Sequence, residues 1–165
     1  GVIIKNIGEA EGKGVELDVT YVPTDSLRLF MSTSFQDTEV IEGESEEGVS
    51  IAGQKLAGPE VSAAFIGTYF YELSASTEMS MQLSYTWQSE TFTDEFMGGS
   101  DLVSQDSYGL LGAQVAIEGQ AWSVSAYVDN ITDEIYYEDG VVDTGYTRFG
   151  IGKGTNGGVK VKYNF

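Results

Sequence analysis

Between Thr77 and Trp87 the chain alternates without a break. Thr77, Met79, Met81, Leu83, Tyr85 and Trp87 take every odd place, and Glu78, Ser80, Gln82, Ser84 and Thr86 every even one. On a helix these residues would scatter around the circumference. On a strand they make one apolar face and one polar face. The pattern recurs along the chain. Val15, Leu17, Val19 and Tyr21 alternate with Glu16, Asp18 and Thr20, and Leu27, Leu29, Met31 and Phe35 with Arg28, Ser32, Ser34 and Gln36, although Phe30 breaks that polar row. Trp122 to Asp129 and Val159 to Phe165 follow the same rule, and two greasier stretches, Glu60 to Tyr71 and Ser107 to Glu118, complete the set. The reading is all-β, an antiparallel meander of about seven long strands.

The connections carry a second signal. Pro23-Thr24-Asp25, Glu72 to Ala75 and Gly119-Gln120 mark tight turns, whereas Val40 to Gly58, Glu90 to Asp106 and Ile131 to Asn156 are long. A strict alternation of short turns and long loops is the habit of outer-membrane barrels, with the turns at the periplasm and the loops outside. Aromatic residues add a third signal. Tyr21, Tyr71, Trp122, Tyr163 and Phe165 lie near the short-turn ends, and Phe35, Tyr85 and Trp87 near the long-loop ends. Two aromatic bands with aliphatic residues between them match the two interfaces of a bilayer, where amphipathic rings settle. Strand chemistry alone also favours aromatics, so the bands support the barrel without proving it. On this reading Leu17, Val19, Leu29, Met31, Met81, Leu83, Val115, Val124 and Val161 face lipid. Glu16, Asp18, Arg28, Gln36, Glu78, Gln82, Gln114, Tyr127 and Lys160 face the lumen.

Composition narrows the function. Histidine and cysteine are both absent, which removes His-based catalytic triads, His- or thiolate-ligated metals and disulfides. With 8 basic and 26 acidic residues the chain carries a net charge of -18 and repels nucleic acid. Serines are plentiful but no base is available to activate them, so an enzyme is not expected.

Several motifs resemble the C-terminal part of the barrel of TonB-dependent outer-membrane receptors. Gly14-Val15-Glu16-Leu17 is similar to that family's descending strand with its Gly-x-Glu core, and Leu56-Ala57-Gly58-Pro59 to the approach of a later one. Asn130-Ile131-Thr132-Asp133-Glu134-Ile135-Tyr136 resembles its Asn-Leu/Ile-x-Asp-x-x-Tyr box, and the chain ends in a terminal aromatic, Phe165. One departure is that Thr147-Arg148 and a glycine-rich stretch, Gly150 to Gly158, stand where the family often has Pro-Arg. The start and tilt of the last strand are therefore open. The resemblance implies that residues 1–165 are a C-terminal segment of one barrel domain in a Gram-negative outer membrane. Signal peptide, plug domain and TonB-contact segment would then lie elsewhere in the parent. It implies energised uptake of a scarce solute, whether metal chelate, vitamin or carbohydrate, with no cofactor. The expected partners are outer-membrane lipid, the TonB complex and the barrel-assembly machinery. That machinery would read the alternating terminus Val159, Val161, Tyr163 and Phe165.

Other candidate sites have plainer readings beside them. The long loops hold 14 of the 26 acids: Glu42, Glu44, Glu46, Glu47, Glu90, Asp94, Glu95, Asp101, Asp106, Asp133, Glu134, Glu138, Asp139 and Asp143. They form either an acidic mouth that attracts cations or a solvated loop surface, and no ligand spacing chooses between these. Asp129 to Gly140 has Ile131 at the third calcium-loop position and lacks the closing glutamate, so it is not an EF-hand. A passive porin-like barrel and a soluble polysaccharide-binding β-sandwich remain as alternatives.

Overall fold

A computed structural model of the chain describes residues 8–44, 48–92, 104–143 and 146–165. In chain order the strands are β1 (Gly8–Thr24), β2 (Leu27–Gly43), β3 (Val61–Ser74), β4 (Thr77–Gln88), β5 (Thr91–Phe92) and β6 (Ser104–Gln105). They continue with β7 (Tyr108–Glu118), β8 (Trp122–Asp129), β9 (Tyr137–Asp143), β10 (Tyr146–Ile151) and β11 (Asn156–Tyr163). Seven of them form one antiparallel sheet in the order β1-β2-β3-β4-β7-β8-β11, a meander in which every strand pairs with its neighbour in sequence. The other four make two small ribbons, β5 with β6 and β9 with β10.

Register explains why the alternation is so clean. Val19 lies opposite Met31, Met31 opposite Phe65, Phe65 opposite Tyr85 and Tyr85 opposite Leu111, so one row crosses five strands with no polar side chain. Leu29, Gly67, Leu83, Ala113 and Val128 form the next such row. Because side chains alternate along each strand, every residue between those rows points the other way. All nine residues expected to face lipid fall on the apolar face, and all nine expected in the lumen on the opposite one.

Nothing soluble would leave that apolar face uncovered. Val15, Leu17, Tyr21, Phe35, Phe65, Leu83, Val159 and Val161 are all exposed, and among the described residues only Val40, Ile51 and Ala116 are buried aliphatics. The chain exposes 11639 Å², against roughly 8000 Å² for a compact soluble monomer of this mass. A sandwich needs a second sheet over one face. Among the described residues there is none.

The structure differs from the sequence reading at the long-loop end. β2 continues to Gly43 and β1 begins at Gly8, so the first hairpin reaches past the point where the loop was expected to begin, at Val40. Here Glu9, Glu11, Lys13, Asp37, Glu39 and Glu42 put charged side chains on the face that is apolar nearer the short turns, and the apolar signal fades although backbone pairing continues. The other two long connections contain the two ribbons. The last strand, whose start was open, begins at Asn156 and pairs with β8 from Asn156↔Asp129 to Tyr163↔Trp122. Of the loop acids, Glu46, Glu47, Asp94, Glu95 and Asp101 lie outside the described residues.

Candidate functional site

The concave face presents polar side chains in rungs that run across the sheet. One rung is Glu16–Ser34–Ser62–Gln88–Tyr108, each residue directly opposite the next, and its neighbour is Asp18–Ser32–Ala64–Thr86–Leu110. Together they line a shallow cleft of about 440 Å³. Ser34 and Ser62 share a hydroxyl–hydroxyl hydrogen bond of 2.8 Å, and Thr33 Oγ1 donates to the Ser62 carbonyl at 3.1 Å. Gly14 is a close-approach position: a Cβ there would lie 2.6 Å from the Phe35 carbonyl oxygen. Glu16, two places along, lines the cleft.

Closer to the long-loop end, the β2–β3 connection folds against the wall. Gln36 Nε2 donates to the Pro59 carbonyl at 2.7 Å, the Leu56 amide donates to Thr38 Oγ1, and the Gly58 amide to Thr91 Oγ1. Lys55 forms an ion pair with Glu60 beside these contacts. The Leu56-Ala57-Gly58-Pro59 stretch is thus held by side chains that project from β2 and β5.

The Asn130–Tyr136 motif forms a clasp. Asn130 leaves β8 with φ of 49° and Asp133 follows with φ of 52°, left-handed conformations that asparagine and aspartate tolerate better than most residues. The Asn130 side chain, in a residue only 4% exposed, uses its whole amide. Its Nδ2 donates to the Glu134 and Lys153 carbonyls at 2.9 and 3.0 Å, and its Oδ1 accepts from the Glu134 amide at 2.9 Å. Thr155 returns the grip, with Oγ1 donating to the Asn130 carbonyl at 2.7 Å and its amide to Asp133 Oδ1 at 3.0 Å. Tyr136 stacks on Tyr108 with centroids 4.8 Å apart and covers the buried Gly152, where a Cβ would run into the ring. Within the glycine-rich stretch, the missing side chain of Gly152 leaves the space that Tyr136 occupies. Beside the clasp, buried Gln105 accepts from the Tyr137 amide at 2.8 Å and so ties β6 to β9.

The aromatic residues singled out from sequence divide by height. Tyr21, Tyr71, Trp122 and Tyr163 are exposed near the short turns, while exposed Tyr85 and half-buried Trp87 stand near the other end of β4. Val159, Val161 and Tyr163 share the apolar face of β11, and Phe165 lies edge-on to Tyr163 at 5.0 Å. Sequence reasoning missed Thr155, Gln105 and Tyr108. Their partners lie 22 to 32 residues away in the chain, at a distance no local pattern reveals. Among the described residues no group of three or more acidic side chains is placed to hold a metal ion.

Comparison with solved structures returns walls of the same kind. The ferric yersiniabactin uptake receptor of Yersinia pestis superposes with a TM-score of 0.79 at 17% identity, covering 97% of this chain and 24% of its own. The ferripyoverdine receptor of the Pseudomonas aeruginosa outer membrane gives 0.69 at 16% identity, over 94% of this chain and 20% of its own. The siderophore receptor PiuA of Acinetobacter baumannii gives 0.69 at 16% identity, over 94% and 22%. This chain thus spans less than a quarter of the length of those receptors. No curated protein matches it. The family profile described as TonB dependent receptor-like, beta-barrel matches residues 2–131. With that match over most of its length, the chain belongs to the TonB-dependent receptor β-barrel family, whose barrels stand in the outer membrane of Gram-negative bacteria.

Proposed function

We propose that this chain is the C-terminal wall of a receptor that takes up a ferric chelate across the outer membrane. The observation that carries the reading is the single-layer sheet, apolar outside and rich in hydroxyl and carboxylate groups inside. The siderophore receptors among its structural relatives favour a metal chelate over a vitamin or a carbohydrate. In this proposal a plug domain precedes the wall and reaches the TonB complex, which supplies the energy. Catalysis plays no part. Phe30 and Ile66, opposite each other on the concave face, favour a plug, because apolar side chains in a lumen gain from a dry partner. Tyr21, Tyr71, Tyr85, Trp87 and Trp122 act as the interfacial girdle, and Val159, Val161, Tyr163 and Phe165 as the terminus read by the assembly machinery.

The test is growth of the host on ferric chelates as the sole iron source, with the full-length receptor present or deleted and TonB intact or removed. Growth that requires both supports the proposal. Growth that requires the receptor but not TonB favours the passive porin-like alternative.

A further inference from the structure

We propose that the concave cleft selects by charge, accepting neutral or cationic ferric chelates and repelling polyanionic ones. This inference rests on the uptake reading above. Glu16 lies eight residues before the end of β1 at Thr24, so with ~3.3 Å per residue and a tilt of ~40° it stands about 20 Å above the short-turn rim. The apolar band of such a barrel is about 25 Å tall. The cleft therefore lies in the outer part of that band, with the outer halves of β1 and β2 extending beyond it.

The chemistry of that cleft is one-sided. Glu16 and Asp18 stand at one end of the rungs, the Ser34–Ser62 hydroxyl pair in the middle, and Gln88 and Tyr108 at the other end. No lysine or arginine lines it. Both carboxylates are exposed and no ion pair involving them occurs among the described residues. Of the described cations, Lys13 pairs with Glu11, Lys55 pairs with Glu60, Arg28 lies over the Phe70 ring at 5.5 Å, and Lys153 follows Gly152 at the Tyr136 end. Lys160 and Lys162 stand on β11, at the far edge of the sheet. A polyanion here meets the Glu16 and Asp18 carboxylates and finds hydroxyl and amide groups as its donors. A neutral chelate finds the same donors without the repulsion, and the Tyr108–Tyr136 stack offers it a flat apolar surface.

The experiment uses the full-length receptor in detergent, with binding read by quenching of its intrinsic fluorescence. Two probes are compared, a neutral ferric trihydroxamate and a trianionic ferric tris-catecholate, at low and at moderate ionic strength. The parent should bind the neutral probe on the order of tenfold more tightly, with the gap shrinking as salt screens the carboxylates. Asp18→Asn keeps the shape of the side chain and should narrow the gap several-fold. Glu16→Gln combined with Asp18→Asn removes both charges and should narrow the gap to about threefold or less. Equal binding of both probes by the parent, or variants that shift both probes alike, would overturn charge selection and leave the uptake reading standing. Failure of both probes to bind at all would overturn the ferric-chelate reading, and charge selection with it.

Discussion

Asn130→Ala removes the centre of the clasp, and the structure sets its cost. Three hydrogen bonds of 2.9 to 3.0 Å are lost from a side chain with almost no access to water. At about 1 kcal/mol net each they sum to roughly 3 kcal/mol, and the Glu134 and Lys153 groups left without a partner raise that figure. The left-handed backbone at φ of 49° adds about 1 kcal/mol, since alanine resists that region more than asparagine does. The expected loss is therefore about 3–5 kcal/mol. Asn130→Gly loses the same bonds but not the backbone term, so it should be about 1 kcal/mol milder. Thr155→Val, which removes the 2.7 Å bond to the Asn130 carbonyl, should cost about 1–2 kcal/mol. Combined with Asn130→Ala it should add less than its own cost, because the two residues share one network. The assay is denaturant unfolding of the full-length receptor in micelles, followed by the loss of heat-modifiable mobility. An Asn130→Ala receptor within about 1 kcal/mol of the parent would refute the clasp as a stabilising element.

Lysine at Leu83, mid-strand on the apolar face, should cost about 2–4 kcal/mol of barrel stability, while the same change at neighbouring Ser84 should be far milder; equal costs in a folding assay would defeat the assignment of faces. Removing Phe165 from the full-length receptor should lower the heat-modifiable fraction in outer membranes more than Phe35→Ala does, and indistinguishable fractions would leave Phe165 an ordinary interfacial ring. Residues 1–165 produced alone should associate in detergent-free buffer, because β1 and β11 leave open edges beside an uncovered apolar face. A monodisperse, cooperatively melting monomer would contradict that.

The sequence was least informative where bilayer and lumen no longer dictate side chains. The outer halves of β1 and β2 pair Glu11 with Glu39 and Lys13 with Asp37, so pairing there is carried by the backbone and leaves no mark in hydropathy. The ribbons β5–β6 and β9–β10 were missed because they lie within the long connections, outside the run of two-faced strands. The clasp was half legible. Its asparagine, aspartate and tyrosine stand in one short motif, but Thr155 and Gly152 reach them from across the connection. Phe30 was visible as a break in a polar row. What the row could not show is that Ile66 stands opposite it, which turns a blemish into a paired apolar patch on the concave face.

Where the chain was legible, the reason is that this wall is one layer thick. In a sandwich or an α/β domain each apolar face meets another element, and substitutions on one side can be offset by repacking on the other. Here each face meets a different solvent directly, so every residue of a strand is tested by lipid or by the lumen. A slip of one residue would turn Val159, Val161 and Tyr163 inward and Lys160 and Lys162 toward hydrocarbon. For the last strand that error is opposed at both ends. Asn164 donates from its backbone amide to the Ala121 carbonyl at 2.8 Å beside the short turn, and Thr155 is held by Asn130 and Asp133 one residue before the strand begins. The clasp thus does for β11 what tight turns do for β2, β4 and β8. A strand that follows a long connection has no turn to set its register, and the Asn130 motif supplies that constraint from outside the sheet.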